Sequence, residues 1–343
     1  MNRVLVTAVG GRGIGLQIVK CLRLSQLKLW ILGTDISANA AMVSQIDHFT
    51  AMPPTTSPDY VSKLLEIVSE YKIRFLFPGS EAELRRLTDT SLEQFENLNC
   101  TLIWQSPLIA KRLNDKFTTS SILAQLNVVA PRTVLATNKG EALKLALPVI
   151  LKPRFGKASE GIEIARSRFE LETLLSLLDH RGTQSQYICQ EYVPLDGGEF
   201  TAGILHLPNG NYFGSSILRR DIRSPISHKI TINEISDLPQ VVISSGVSQG
   251  VFVDDARLEA DLVKVATGLG SRGPMNFQFR LLDDKPLIFE INPRFSGSSY
   301  LRALAGHNEV ETLFRYYLET PLPSWPSIDG RVAVRSISES VTQ

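Results

Sequence analysis

The sequence predicts an α/β front domain built on a parallel sheet, followed by an α+β unit of two subdomains. The first third alternates β-rich runs with amphipathic helical stretches. That βαβαβ order needs crossover connections, and hence parallel strands. Further on, the pattern becomes strand, turn, strand, which is the mark of antiparallel hairpins. A length of 343 residues allows roughly two or three domains.

In chain order, "VLVTAV" (Val4–Val9), "LKLWILGTD" (Leu27–Asp35) and "IRFLFPG" (Ile73–Gly79) read as strands. Helical periodicity covers Ile14–Leu24 and Tyr60–Tyr71. Asn114 or Asp115 can cap a helix ending near Asn127, and Pro131 blocks its extension. "LPVILKPRFGKASEGIEIA" is a strand, a polar glycine loop and a second strand; "RFELETLLSLLDH" is a helix and "SQYICQEYV" a strand. A hairpin turns at Pro208-Asn209-Gly210, and a helix beginning "DDARLEA" stops at Gly270. "PMNFQFRLL" and "PLIFEINPR" pair across the turn Asp283–Lys285; a helix over Asn308–Leu318 and a short strand in "RVAVRSIS" complete the chain. The divisions expected are 1–112, 113–193, 194–325 and a strand and tail over 326–343.

Lys and Arg number 36 against 35 Asp and Glu, so bulk charge argues for neither a nucleic acid nor a membrane partner. No apolar run approaches the roughly 20 residues of a membrane span, and the start lacks a signal-peptide pattern. Cys21, Cys100 and Cys189 each sit in an apolar segment and read as buried thiols of a reducing compartment. The expectation is a cytoplasmic protein.

Four stretches carry candidate chemistry. "GGRGIG" after the first strand, with Asp35 about twenty residues on, invites a dinucleotide reading. It lacks the third glycine where that fingerprint needs it, and a tight structural turn or small-anion contact is the favoured reading. "KPRFGKASEG" puts Lys152 at a strand end, with Arg154 and Lys157 among Gly156, Ser159 and Gly161. Such a loop can fold over phosphates, or it can be a solvated hairpin loop. "CQEYVPLDGGEF" brings Glu191 and Glu199 to either side of a connector, where they suit a purine amino group and a ribose diol, or simply a polar hinge. Strand alternation puts Glu290, Asn292 and Arg294 on one face, with Gln278 close across the hairpin. Gln278, Glu290 and Asn292 are hard oxygen donors suited to Mg²⁺, with Arg294 a fixed cation beside them; a surface ion-pair cluster is the alternative.

These pieces, in this order, resemble the ATP-grasp superfamily, in the branch of the carbamoyl phosphate synthetase large subunit and biotin carboxylase. The resemblance covers nearly the whole chain, and the "E-x-N-x-R" run ending at Arg294 is its most specific motif. It implies a pre-ATP-grasp front domain up to about Ser106. Lys116 and Lys152 would contact ATP, and "GKASEG" would be the glycine lid, with Gly156, Lys157, Ser159 and Gly161. Glu191 with the backbone of Tyr192 and Val193 would meet adenine, and Glu199 the ribose. Gln278, Glu290 and Asn292 would hold Mg²⁺ or Mn²⁺. Gln278 departs from the Asp or Glu of many ligases, and the front glycine turn is not a nucleotide site in that family.

The activity implied is ATP-dependent ligation of a small-molecule carboxylate, amino-acid or peptide-like, to an amine through an acyl phosphate. Arg294 and Lys152 would be the catalytic cations. A kinase on the same fold, a non-catalytic nucleotide-binding protein and an NAD-dependent oxidoreductase are the alternatives. Arg219, Arg220 and Lys229, with Ser298 and Arg302, are candidate substrate contacts, although a solvated basic loop explains the first three equally well. Dimers are common among such front domains, so a homodimer is compatible with the resemblance.

Overall fold

The computed structural model describes residues 1–11, 13–39, 45–156, 160–224, 226–232 and 240–336. Five parallel strands form the front sheet: β1 (Asn2–Thr7), β2 (Leu29–Asp35), β3 (His48–Ala51), β4 (Phe75–Phe77) and β5 (Thr101–Leu102). Helices α1 (Ile14–Leu24), α2 (Tyr60–Glu70), α3 (Glu81–Thr88), α4 (Glu93–Glu96) and α5 (Pro107–Leu113) belong to the same region. The strand order is β3-β2-β1-β4-β5, so direction of winding reverses between β1 and β4. A crevice opens beyond the carboxyl ends of strands at such a point. The first strand ends at Thr7, sooner than its apolar run suggests, because Ala8 adopts a positive φ of 50° and turns the chain. At the crevice the backbone is tightly interlocked: a Cβ on Gly79 would lie 1.8 Å from the Thr7 carbonyl oxygen. Only glycine fits there.

Asp115 caps α6 (Lys116–Gln125), accepting a bond from the Phe117 amide. A four-stranded antiparallel sheet follows, of β6 (Thr133–Leu135), β7 (Val149–Pro153), β8 (Glu163–Ala165) and β9 (Tyr187–Glu191), with α7 (Lys139–Ala142) and α8 (Arg168–His180) between them. The last part is organised on a six-stranded sheet. Its hairpin β10 (Glu199–His206) and β11 (Tyr212–Arg220) is followed by a separate two-stranded pair, β12 (His228–Ile232) and β13 (Val241–Ser244). Then come β14 (Gly250–Val253), α9 (Ala256–Gly268), β15 (Pro274–Leu282), β16 (Lys285–Asn292), α10 (Ser299–Ala305), α11 (Glu309–Tyr317) and β17 (Val332–Ala333). The order across the large sheet is β16-β15-β10-β11-β14-β17.

One core joins front to rear, and a second organises the rear. Val4, Val6, Phe75 and Phe77 of the front sheet pack with Phe295, Val310, Leu313 and Phe314, so the front domain rests on α10 and α11. Ala202, Ile204, Phe277 and Phe279 of the large sheet pack with Leu258, Leu262 and Val265 of α9. Burial of so many large side chains is the main driving term holding the parts in register.

The element types expected from the sequence recur in order. The final strand is shorter than expected, two residues paired with β14, and the chain from 337 on lies outside the described residues. The β12–β13 pair is an addition: its strands are short and lie next to a charge-rich stretch that hides their alternation.

Candidate active site

The hairpin β15–β16 sets the centre of the site. Gln278 pairs with Glu290 and Asn276 with Asn292, but the register slips by one residue, leaving Phe289 as a bulge. A bulge re-aims the chain locally. Consequently Phe289 and Glu290, neighbours in sequence, line the same cavity, and the Phe289 carbonyl accepts from Lys152 Nζ at 3.4 Å. Strict alternation would have turned one of the two away.

That cavity, about 100 Å³, lies between the four-stranded and six-stranded sheets. Lys116, Lys152, Gly156, Glu191, Tyr192, Val193, Glu199, Gln278 and Glu290 all line it. Lys116 reaches Gly156 O at 3.0 Å from the first turn of α6. Arg154 is committed elsewhere: it binds Asp115 with two nitrogens, at 3.1 and 2.6 Å, and so anchors that helix start. Lys157 and Ser159 lie outside the described residues; Gly161 is exposed with φ +68°.

Lys152 is a buried ammonium that donates to Gln190 Oε1 at 2.8 Å. Burial pulls its pKa down to about 8; Glu290 opposes this and Lys116 adds to it. An anion bound beside Lys152 favours the charged form, so anion affinity is present below about pH 8 and lost as pH rises through it. Affinity for the Mg²⁺ complex of a non-hydrolysable ATP analogue is therefore expected to weaken by roughly tenfold per pH unit above about pH 8. Lys152→Met should flatten that profile. Titration calorimetry across this range checks both, and an unchanged wild-type affinity up to about pH 9.5 would contradict the assignment.

The hinge holds a charged cluster. Glu199 is 1% exposed and accepts from Arg220 Nη1 at 2.5 Å and from Arg280 Nη2 and Nε at 2.7 and 3.0 Å. Burial pushes its pKa up, but Arg220 and Arg280 together outweigh this and hold it below the usual glutamate range. Arg280 also donates to the carbonyls of Val193 and Val242, and Arg220 to those of Ser245 and Val247. Glu199 thus locks the hinge to β13 and the loop after it; a ribose could meet it only alongside these arginines. Glu191 Oε1 accepts the Ala146 amide, and Tyr192 Oη accepts the Val242 amide, each at 2.9 Å.

The oxygen donors are one carboxylate and two amides. Gln278 and Glu290 open onto the cavity together, while Asn292 is buried, shares a smaller space with Glu290 and Arg294, and leaves Nδ2 without a partner. Among the described residues no three or more of His, Cys, Asp and Glu are grouped so as to hold a metal ion by themselves. A set this sparse fits a hard divalent cation that draws its remaining oxygens from a phosphate ligand and water. Arg294 donates to Phe295 O at 3.1 Å and Asn292 Oδ1 at 3.2 Å, and its Nε is buried without a partner.

A second, larger cavity of about 430 Å³ adjoins the first and shares Gln278 and Glu290 with it. Arg220, Arg294 and Ser298 line it, facing the front crevice at Gly10, Gly11, Gly13 and Glu81. Asp35 Oδ2 accepts the Gly10 amide at 2.9 Å, so the carboxylate that a dinucleotide reading would give to a ribose braces its own turn. Arg219 is exposed on β11 and Lys229 on β12. Arg302 is 1% exposed and tied to Asn276 and Glu309, which makes it a core residue rather than a pocket contact. Arg280 and Glu81 escaped the sequence reading. The signal for Arg280 was a lone cation inside "FQFRLL"; for Glu81 it was the cap at Ser80 straight after a strand.

Comparison with known proteins bears on this geometry. The backbone superposes on biotin carboxylase from Campylobacter jejuni, solved as a β,γ-ATP complex, with a TM-score of 0.67 and 16% identity, over 96% of this chain and 73% of that one. The chain has the ATP-grasp fold. An L-amino acid ligase from Bacillus licheniformis gives a TM-score of 0.65 at 16% identity, over 93% and 74%. The family model described as "PylC-like, N-terminal domain" matches residues 4–103, and that described as "ATP-grasp in the biosynthetic pathway with Ter operon" matches 242–340. The carbamoyl phosphate synthase large chain of Streptomyces coelicolor is 25% identical over 261 residues, 71% of this chain and 23% of that protein. The chain spans about a quarter of the length of the first curated relatives it matches. No helix among its described residues is long and apolar enough to cross a membrane.

Proposed function

We propose that the chain is an ATP- and Mg²⁺-dependent ligase that joins a small carboxylate, amino-acid or peptide-like, to an amine. One observation carries the reading: a cavity lined by two lysines and a hinge meets a second, polar cavity at Gln278 and Glu290. A phosphoryl group in the first would abut a carboxylate in the second.

The reaction in this reading has two steps. A carboxylate oxygen bonds to the γ-phosphorus as the bond to the bridging oxygen of ADP breaks. The amine nitrogen then bonds to the acyl carbon, inorganic phosphate leaves with the electron pair of the C–O bond, and the amine gives up a proton. Lys116 and Lys152 offset phosphate charge, and Arg294 offers its fork to oxygens whose charge shifts during transfer. Gln278, Glu290 and Asn292 would hold Mg²⁺, which when bound screens the phosphate oxygens and keeps them in line. The reaction needs water kept from the site, because water would otherwise hydrolyse an acyl phosphate.

ADP release screened against pairs of carboxylates and amines tests this. The reading requires release that depends on both partners, with one inorganic phosphate formed per ADP. Release with a hydroxyl compound alone, and no free phosphate, would make the protein a kinase.

A further inference from the structure

The second cavity holds a side-by-side acceptor and donor, each with an unused atom. Glu81 Oε1 and Arg294 Nη2 are 3.4 Å apart, too long for a good hydrogen bond. Among the described residues, Glu81 Oε2 and Arg294 Nε are both buried and without a partner. Leaving such groups unsatisfied is costly, and the pair is incomplete until something lies against it.

The position of Glu81 is built from beneath. It opens α3, whose cap Ser80 accepts the Glu83 amide at 3.2 Å. Glu83, 1% exposed, accepts from Tyr60 Oη at 2.7 Å, from the Gly79 amide at 3.0 Å and from Thr7 Oγ1. With Gly79 wedged against Thr7 O, the strand-to-helix turn carrying Glu81 has no room to shift. Asp35, the other carboxylate on the front-domain side, is already bonded to the amides of Gly10 and Ser37. Glu81 is therefore the carboxylate that side leaves open.

We infer that this cavity takes a free α-amino acid, with its ammonium on Glu81 and a carboxylate oxygen toward Arg294. An α-amino acid carries a cation and an anion on one carbon and needs an anionic and a cationic partner next to each other. The lining carries Glu81 and Glu290 beside Arg220 and Arg294, both signs together as a zwitterion needs. The inference rests on the ligase reading and refines it: the bound amino acid supplies the carboxylate, and its own amino group is held as a handle. The nucleophile is then a different molecule.

The test uses calorimetry on the full chain saturated with Mg²⁺ and a non-hydrolysable ATP analogue. The probes are the standard L-amino acids and the 2-hydroxy acids with the same side chains. At least one amino acid should bind, and its hydroxy acid should bind more weakly by roughly tenfold or more. Glu81→Gln should weaken the amino acid by a similar factor, leave the hydroxy acid within about twofold and leave the nucleotide unchanged. Equal binding of the two probe classes by the wild type overturns the inference, as does nucleotide binding with no amino acid bound. That comparison needs no variant to fold. Failure of the nucleotide itself to bind would instead remove the ligase reading.

Discussion

Glu290→Ala is expected to abolish Mg²⁺-dependent ADP formation while leaving the melting temperature near that of the wild type. Glu290 is half-buried at the junction of both cavities and is the carboxylate of the oxygen donor set. Without it the two remaining donors are neutral amides, which bind a divalent cation feebly. Among the described residues it forms no salt bridge, and β15 and β16 are held by their ladder and by Phe277, Phe279, Ile288 and Ile291 in the core. Steady-state ADP release and thermal unfolding on one preparation check this. More than about a tenth of wild-type turnover would sink the metal assignment.

The second large effect concerns stability. Glu199→Leu should destabilise the fold by about 3–5 kcal/mol, because it strands two buried guanidinium groups whose shared counter-charge is gone. Arg220 and Arg280 are 6% and 4% exposed, so water cannot replace the lost carboxylate. Urea unfolding measures the change, and a loss below about 1 kcal/mol would show that the cluster is not what locks the hinge. The pH dependence has a definite sign. The folded pKa of Glu199 lies below its unfolded value, so its contribution is present above the ordinary glutamate range and lost as pH falls through the depressed value.

Much of this was legible in the chain. Periodicity gave the order of most strands and helices, and the family resemblance named Lys116, Lys152, Glu191, Gln278 and Glu290, all of which line one cavity. What sequence could not supply was geometry set by long-range packing. A one-residue bulge at Phe289 has no composition signal of its own. Glu199 looked like a free hinge carboxylate because its partners lie 21 and 81 positions away. Arg302 looked like a pocket cation after a serine turn, yet Glu309, on the next helix, draws it into the core. The larger cavity is made by docking the front domain against the rear, so its lining, Glu81 included, belongs to no single motif.

The account stands most directly on the fate of a carboxylate oxygen. Once the panel above has supplied a bound acid, that acid is prepared with heavy oxygen in its carboxylate and turned over with ATP, Mg²⁺ and an amine. Mass spectrometry of the inorganic phosphate should find one labelled oxygen for each bond formed, carried there through the acyl phosphate. Unlabelled phosphate, with all the heavy oxygen retained in the acid and its product, would contradict the mechanism.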